Sequence, residues 1–377
     1  MKIALLTDGI HPYVIGGMQK HSYHLVRELA RNGHTVYLFH CNESKLDAAK
    51  LEFFSEEERK NIKSFLIPFP HKKYYPLHYI SESYDYSESI YSALQPFISE
   101  VDFIFAQGFC AWALLKHRKN NTPPVAVHFH GLEMFQNIPS VKAKLSRRFL
   151  QKAVNENLRK ADYAISLGGK ITTILNSITD KNKVWEVPVA IEKTWLTETI
   201  GPVSDKVRFA FVGRYERRKG IPELNEAIKS LSGSTHLTFD FIGEIPEEHK
   251  LPYSFVKYHG KISSEGEIKK ILSGCDVLIC PSYAEGMPYV IMEAMACGLA
   301  VIATDVGAVS LLVNSDNGWL INSPKTENIA EAINTAIDDK SLQQKKSASL
   351  QKIKANYLIE TVTASLIQNI RQSINKS

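Results

Sequence analysis

The strongest constraint on the fold is an alternation that runs through nearly the whole chain. Short apolar runs rich in Val, Ile and Phe are each followed by a longer segment of helical period. Strands covered on both faces read as continuous apolar runs, and parallel neighbours need crossover helices, so the pattern predicts α/β architecture with parallel sheets. In the first half the runs predict strands over Lys2–Thr7, His34–His40, Phe65–Pro68, Asp102–Gln107, Val125–His130, Tyr163–Leu167 and Val184–Val187. Between the first two, Leu25, Val26, Leu29 and Ala30 recur at i, i+3/i+4 spacing, so a helix is expected from about Met18 to Asn32, stopped by Gly33.

The alternation restarts at Val207–Gly213, with strands expected at Leu237–Ile242, Val256–Gly260, Val277–Cys280 and Ala300–Ala303. Helices are expected near Gly220–Leu231, Glu265–Ser273 and Pro288–Ala296. The polar stretch Glu192–Lys206, with Gly201-Pro202, reads as the linker. Two Rossmann-like doubly wound domains facing each other across a cleft follow, over residues 1–195 and 205–357. The 377-residue length suits two domains at roughly 150 residues each. The helical C-terminus, about 358–377, is expected to pack back onto the first domain.

Charge and cysteine content narrow the function classes. A formal charge of +5, with 44% hydrophobic and 23% charged residues, is the profile of a globular chain and is too weakly basic for a dedicated nucleic-acid binder. The five cysteines form no C-x-x-C pair, which supports neither a disulfide framework nor a zinc knuckle and fits a reducing compartment. The richest apolar stretch, Val101–Leu115, is interrupted by Asp102, Gln107 and Gly108, so no membrane span is expected. Thr7-Asp8 ends the first apolar run too early for a signal-peptide core; a cytoplasmic protein is expected.

Doubly wound domains bind nucleotides at the carboxyl ends of their strands. No two of the twenty glycines lie two positions apart, so G-x-G-x-x-G is absent, and neither Gly-Lys pair is followed by Ser or Thr, so the P-loop is absent too. Without an Asp-x-Asp pair there is no obvious metal clip, and a pyrophosphate would be met by fixed cations and backbone amides. Gly16-Gly17 opens the first helix, where small residues let a ligand approach the backbone. Gly213-Arg214 closes a strand and Lys219-Gly220 opens a helix, placing a guanidinium and an ammonium at one sheet edge.

The strongest local signal is the run from Pro281 to Gly298, in which a strand passes into a loop and then a helix with Pro288 in its first turn. Glu285 then sits at the positive end of that helix. Glu293, five residues beyond Pro288, is about 7.5 Å further along the axis. Two acceptors at different depths suit a ligand with hydroxyls at both ends and phosphates between. The plain readings are a capping carboxylate and an exposed helical residue. In the first domain His128 and His130 face one side of a strand by alternation; His130 is nearer the carboxyl end and is the candidate, while His128 is taken as structural.

The ordered set Gly16-Gly17, His130-Gly131, Gly213-Arg214 with Lys219-Gly220, the E-x(7)-E pair Glu285 and Glu293, and Glu293-Ala294-Met295-Ala296-Cys297-Gly298 resembles the retaining GT-B glycosyltransferases of group 1 and family 4 type. That group includes sucrose-phosphate synthases, phosphatidylinositol mannosyltransferases and many bacterial polysaccharide enzymes. The resemblance implies transfer of a hexose-type sugar from a nucleoside-diphosphate sugar to a hydroxyl of a glycan or lipid-linked acceptor, without a metal or other cofactor. It implies that Arg214 and Lys219 bind the leaving diphosphate while Gly16 and Gly17 lend amides. By the same likeness Glu285 meets the transferred sugar, Gly286 and Met287 offer loop amides, Glu293 holds the ribose and His130 sits beside the reacting sugar. Pro188-Val189-Ala190-Ile191 and Ser166-Leu167-Gly168-Gly169 depart from the family pattern on the acceptor side, so a changed acceptor is expected. The competing readings are a GT-B nucleotide-sugar 2-epimerase, which would act on the donor alone, and a non-catalytic nucleotide-sugar-binding subunit.

Between Val141 and Ala161 seven cations (Lys142, Lys144, Arg147, Arg148, Lys152, Arg159, Lys160) face Glu156 alone, and Val141, Leu145 and Phe149 fall at i, i+4 spacing. This is a basic amphipathic helix, either packed on the core with a solvated face or held peripherally on an anionic membrane surface.

Overall fold

A computed structural model of the chain describes residues 1–71, 78–136 and 143–375, with side chains omitted over 143–146. It divides into two compact units. The first comprises the chain up to Phe135, the part from the helix Ala143–Lys160 to Ala190, and the C-terminal helix Ile359–Ile374. The second is built on Ile191–Leu358.

The first unit is a seven-stranded parallel sheet in the order β3-β2-β1-β4-β5-β6-β7. Its strands are β1 (Lys2–Leu6), β2 (Thr35–His40), β3 (Ile62–Leu66), β4 (Phe103–Gln107), β5 (Val125–His128), β6 (Tyr163–Ser166) and β7 (Val184–Glu186). Leu5 of β1 aligns with Leu38 of β2 on one side and Phe105 of β4 on the other, and all three side chains are buried. Strand order reverses between β1 and β4, which makes their carboxyl ends the topological switch point.

The helix Gly17–Arg31 covers one face through Leu25, Val26 and Leu29. Against the same cluster lie Val362, Leu366, Ile367 and Ile370 of the C-terminal helix, at i, i+4, i+5 and i+8 along one stripe. The last helix therefore completes the core of the first unit.

The second unit is a six-stranded parallel sheet in the order β10-β9-β8-β11-β12-β13. Its strands are β8 (Val207–Val212), β9 (Leu237–Ile242), β10 (Val256–Gly260), β11 (Val277–Cys280), β12 (Ala300–Thr304) and β13 (Gly318–Ile321). Its order reverses between β8 and β11. The helices Ile221–Ser230 and Thr326–Asp338 bury Ile221, Leu224, Ile228, Ile329 and Ile333 against Phe209, Phe239 and Phe241.

Several sequence expectations shift. The third strand is Ile62–Leu66 rather than Phe65–Pro68, because two prolines at Pro68 and Pro70 cannot donate to a ladder whereas Ile62 pairs with Val36. β5 stops at His128, and His130 adopts a left-handed backbone with φ +53°. β13 was not anticipated; Gly318 and Asn317 resemble turn residues, yet Trp319 and Leu320 pair with Ile302 and Ala303. The segment read as a linker is fastened to the second unit: Trp195 is buried, Lys269 Nζ donates to the carbonyls of Thr194 and Leu196, and Lys346 Nζ donates to that of Gly201.

The basic helix is Ala143–Lys160; Val141 and Lys142 lie outside the described residues, and the Lys144 and Leu145 side chains are not described. Among its described side chains Ala153, Val154 and Leu158 are buried, whereas Phe149 is 48% exposed. Arg148, Lys152, Arg159 and Lys160 line a surface groove of about 560 Å³ together with Gln151, Asn155 and Glu156. Among the described residues no helix is long and apolar enough to cross a membrane.

Candidate active site

In the second unit the chemistry gathers where β8 and β11 end, at that sheet's switch point. After β8 the chain runs through Arg214 to a single 3₁₀ turn, Arg217–Lys219, and then enters the helix Ile221–Ser230. Three residues per turn send three adjacent cations in different directions. Arg217 turns aside, donating twice to Glu223 at 3.0 and 2.6 Å, with its guanidinium over the Tyr283 ring. Arg218 and Lys219 turn toward the loop that follows β11.

Gly220 makes this approach possible. Its φ is +69°, and a Cβ there would lie 2.0 Å from the Pro281 carbonyl oxygen, so only glycine fits against the β11 loop. The Tyr283 amide in turn donates to the Arg218 carbonyl at 2.7 Å. Two loops from separate strands are thus locked backbone to backbone.

Glu285 sits at the centre, 6% exposed. Lys219 Nζ is 2.6 Å from Oε1, Ser282 Oγ donates to the same oxygen at 2.7 Å, and Arg218 Nη1 lies 3.5 Å from Oε2. A carboxylate this enclosed is tolerable only because cations and a hydroxyl replace water. Arg218 Nε also donates to Glu216 Oε2 at 2.9 Å, while Arg214 Nη2 pairs with Glu216 Oε1 at 2.7 Å. The result is an alternating chain of Arg214, Glu216, Arg218, Glu285 and Lys219, three cations against two carboxylates. Cys280 at the end of β11 takes no part: burial, then the nearby Glu285 charge, push its thiol up to about 11.

The structure therefore brings Lys219 and Glu285 into contact. Arg214 does not join them; among the described residues its ion pair is with Glu216, and its side chain is 80% exposed. Arg218 and Ser282 take the places beside Glu285, and sequence reasoning singled out neither. An arginine next to the expected lysine was the available signal, but adjacency alone does not say which of two cations turns inward.

Glu293 lies in the second turn of the helix Tyr289–Ala296 and is buried, at 7% exposure, so it is not the exposed helical residue of the plain reading. Pro288 is the N-cap rather than the first helical residue. The Gly286 carbonyl accepts from the Ala308 amide at 2.7 Å, and Gly307, with φ +55°, packs so closely that a Cβ would meet the Glu285 carbonyl oxygen at 2.1 Å. Met287 is buried, and among the described residues neither the Gly286 nor the Met287 amide donates to a backbone carbonyl.

In the first unit the switch point between β1 and β4 carries a second polar group. Gly16 is extended and caps the helix Gly17–Arg31, whose first turn holds no acidic residue. Gln19 Nε2 donates to Asp8 Oδ1 at 2.9 Å, and burial raises the Asp8 carboxyl to about 6. His130 stands two residues past β5, its Nε2 2.7 Å from Gln107 Oε1. The His128 ring stacks on it at 3.8 Å, and His21 meets both rings edge-on at 5.2 Å. Burial holds His128 and His130 well below the usual imidazole range and brings His21 down to about 4. Near neutral pH all three rings are uncharged. Among the described residues His128, fully buried, has no hydrogen-bond partner on either ring nitrogen.

Comparison with known proteins places this geometry in a family. Residues 15–190 match the family described as Glycosyltransferase Family 4, and residues 197–353 match Glycosyl transferases group 1. TuaC of Bacillus subtilis (strain 168), a putative teichuronic acid biosynthesis glycosyltransferase, is 36% identical over 37% of this chain and 36% of its own. An N,N'-diacetylbacillosaminyl-diphospho-undecaprenol alpha-1,3-N-acetylgalactosaminyltransferase of Campylobacter jejuni is 26% identical over 53% of this chain and 54% of its own. The chain thus spans about a third and about half of these two relatives. Sucrose-phosphate synthase from Thermosynechococcus elongatus superposes over 100% of both chains with a TM-score of 0.81 at 20% identity, which shows a common fold. The two family matches take in most of the sequence, one on each Rossmann-like unit, and the chain belongs to the group 1 glycosyltransferases of GT-B fold.

Proposed function

We propose that the protein transfers a hexose-type sugar from a nucleoside-diphosphate sugar to a hydroxyl of a glycan or lipid-linked acceptor, with retention at the anomeric carbon and without a metal, in polysaccharide or glycolipid synthesis. The observation that carries this reading is the Arg218–Lys219–Ser282–Glu285 cluster at the switch point of the second sheet, with Arg214 at its margin. A diphosphate arriving there meets three cations already positioned and the amides of Gly286 and Met287. Glu293, one helix turn further along, is the acceptor for ribose hydroxyls. In the first unit Gly16 and Gly17 lend backbone amides, and His130 accepts from a hydroxyl of the sugar.

In the step itself the bond from the anomeric carbon to the diphosphate oxygen breaks as the acceptor oxygen bonds to that carbon from the same face. The acceptor's proton passes to the departing phosphate oxygen. Charge builds on the diphosphate as the bond breaks, and Arg214 and Lys219 act where it accumulates. Lys219 leaves its contact with Glu285 as phosphate draws it in, which frees Glu285 Oε1 for the sugar. In this reading charge compensation is assigned to these side chains.

TuaC is named for teichuronic acid biosynthesis and the Campylobacter jejuni enzyme for a diphospho-undecaprenol-linked substrate, which supports a glycan or lipid-linked acceptor. The basic groove on the helix Ala143–Lys160, with Phe149 exposed beside it, suits peripheral contact with an anionic bilayer at the cytoplasmic face. The test is a thermal-shift panel of UDP, GDP and ADP, followed by hydrolysis and transfer assays with the corresponding sugars. Stabilisation by one nucleoside diphosphate and release of it from its sugar are expected; indifference to all three overturns the reading.

A further inference from the structure

His130 is held by a contact that the diphosphate chemistry does not use. Gln107 is the last residue of β4 and is fully buried, and its Oε1 lies 2.7 Å from His130 Nε2. An amide oxygen offers only lone pairs, so the imidazole nitrogen facing it carries the hydrogen. A neutral imidazole has one such hydrogen, and burial keeps this ring neutral. The rings around it reinforce that state, since His128 and His21 are themselves uncharged and offer no carboxylate. The left-handed backbone at His130 takes the chain off the strand, while stacking on His128 fixes the plane of the ring.

We propose that Gln107 is a positioning residue: it fixes His130 as the Nε2–H tautomer, so that Nδ1 presents a bare lone pair to a substrate hydroxyl. The tautomer stands on the Gln107 contact and the burial of the ring, whereas the hydroxyl contact rests on the transferase reading. The consequence is chemical. A ring that accepts the hydroxyl's hydrogen leaves electron density on the sugar as positive charge develops near its anomeric carbon. An imidazolium, or the opposite tautomer donating to the same hydroxyl, would withdraw it. Orientation of a histidine by the partner of its second nitrogen is the device that metal sites use on their imidazole ligands.

The test uses full-length protein labelled with ¹⁵N-histidine, with two-bond ¹H–¹⁵N correlations to read each ring and His130→Asn to identify the His130 signals. Near neutral pH the expected spectrum shows hydrogen on Nε2 and none on Nδ1. In Gln107→Leu the oxygen is gone, and the ring shifts toward the Nδ1–H form. Nucleotide-sugar turnover then falls about tenfold in kcat, the worth of one neutral hydrogen bond, while binding of the nucleoside diphosphate is unchanged. Gln107→Glu, which keeps an oxygen in place, retains the Nε2 hydrogen. A wild-type ring that is cationic or Nδ1–H overturns the proposal, and this decides the matter even if Gln107→Leu fails to fold. A tautomer change with unaltered kcat overturns the hydroxyl contact. Absence of turnover with every nucleotide sugar strikes the transferase reading instead, and the spectra still settle the tautomer.

Discussion

Lys219→Gln separates the two tasks assigned to the lysine, holding Glu285 and meeting the leaving group. The Nζ to Oε1 distance is 2.6 Å, with the side chains only 13% and 8% exposed, so water cannot readily replace the lost charge. Breaking a buried pair costs about 3–5 kcal/mol when the remaining charge has no other partner. Here Ser282 at 2.7 Å and Arg218 at 3.5 Å stay with Glu285, which lowers the expected loss to about 2 kcal/mol. Glu285→Gln is expected to cost a similar amount. The double variant replaces two opposite charges by two amides able to bond each other, so its loss should fall short of additivity by about 1–2 kcal/mol. Urea unfolding followed by tryptophan fluorescence measures the cycle. On activity the same substitution removes one preorganised donor to a developing anion, about 3–4 kcal/mol of barrier and so roughly a hundred- to thousandfold in turnover. Additive stabilities would show that the contact carries no coupling, and turnover within threefold of wild type would remove Lys219 from the leaving-group role.

Arg214→Gln should behave differently: with its side chain 80% exposed, stability stays within about 0.5 kcal/mol while turnover falls at least about a hundredfold, read by thermal melts and initial rates on the same preparation. Gly220→Ala forces a Cβ into the Pro281 carbonyl at 2.0 Å with φ +69°; loss of more than about 2 kcal/mol and weakened nucleoside diphosphate binding are expected, and a wild-type melt would contradict the locked-loop argument. His21 titrates near 4 in the fold against 6.5 in the open chain. Its neutral form stabilises the fold fully above about pH 6.5, and that stability is lost as pH falls toward 4, about 3 kcal/mol in all. Wild type and His21→Gln should therefore converge in stability across that window, and parallel profiles would refute the assignment. Arg148→Glu with Lys152→Glu should abolish co-sedimentation with phosphatidylglycerol vesicles at low salt. Wild-type protein that ignores such vesicles removes the membrane contact.

The architecture was legible because parallel strands buried on both faces leave an unmistakable run of Val, Ile and Phe, as in Val207–Val212 and Ala300–Ala303. β13 escaped because Gly318-Trp319-Leu320-Ile321 is short and preceded by turn formers; only its ladder with Val301–Thr304 makes it a strand. Lys219 and Glu285 were each legible as candidates from glycines and charges that bracket strand ends, but their contact with each other was not. What the sequence could not reveal was the direction of side chains within one 3₁₀ turn, which decides that Arg218 rather than Arg214 neighbours Glu285. Gln107 was visible only as an interruption of the apolar run Val101–Leu115, and Asp8 only as the end of the first apolar run. Both gain meaning from the reversal of strand order between β1 and β4, a property of topology that no local pattern carries.

The central claim is that fixed cations of the second unit, not a divalent ion, neutralise the departing diphosphate. The most direct measurement is turnover of the nucleotide sugar by wild type, Arg214→Gln and Lys219→Gln after exhaustive chelation and again with added Mg²⁺ or Mn²⁺. The account predicts wild-type rates indifferent to chelator and metal, with both variants slowed at least about a hundredfold under every condition. Activity abolished by chelation and restored by metal, with the variants running at wild-type speed, would contradict it.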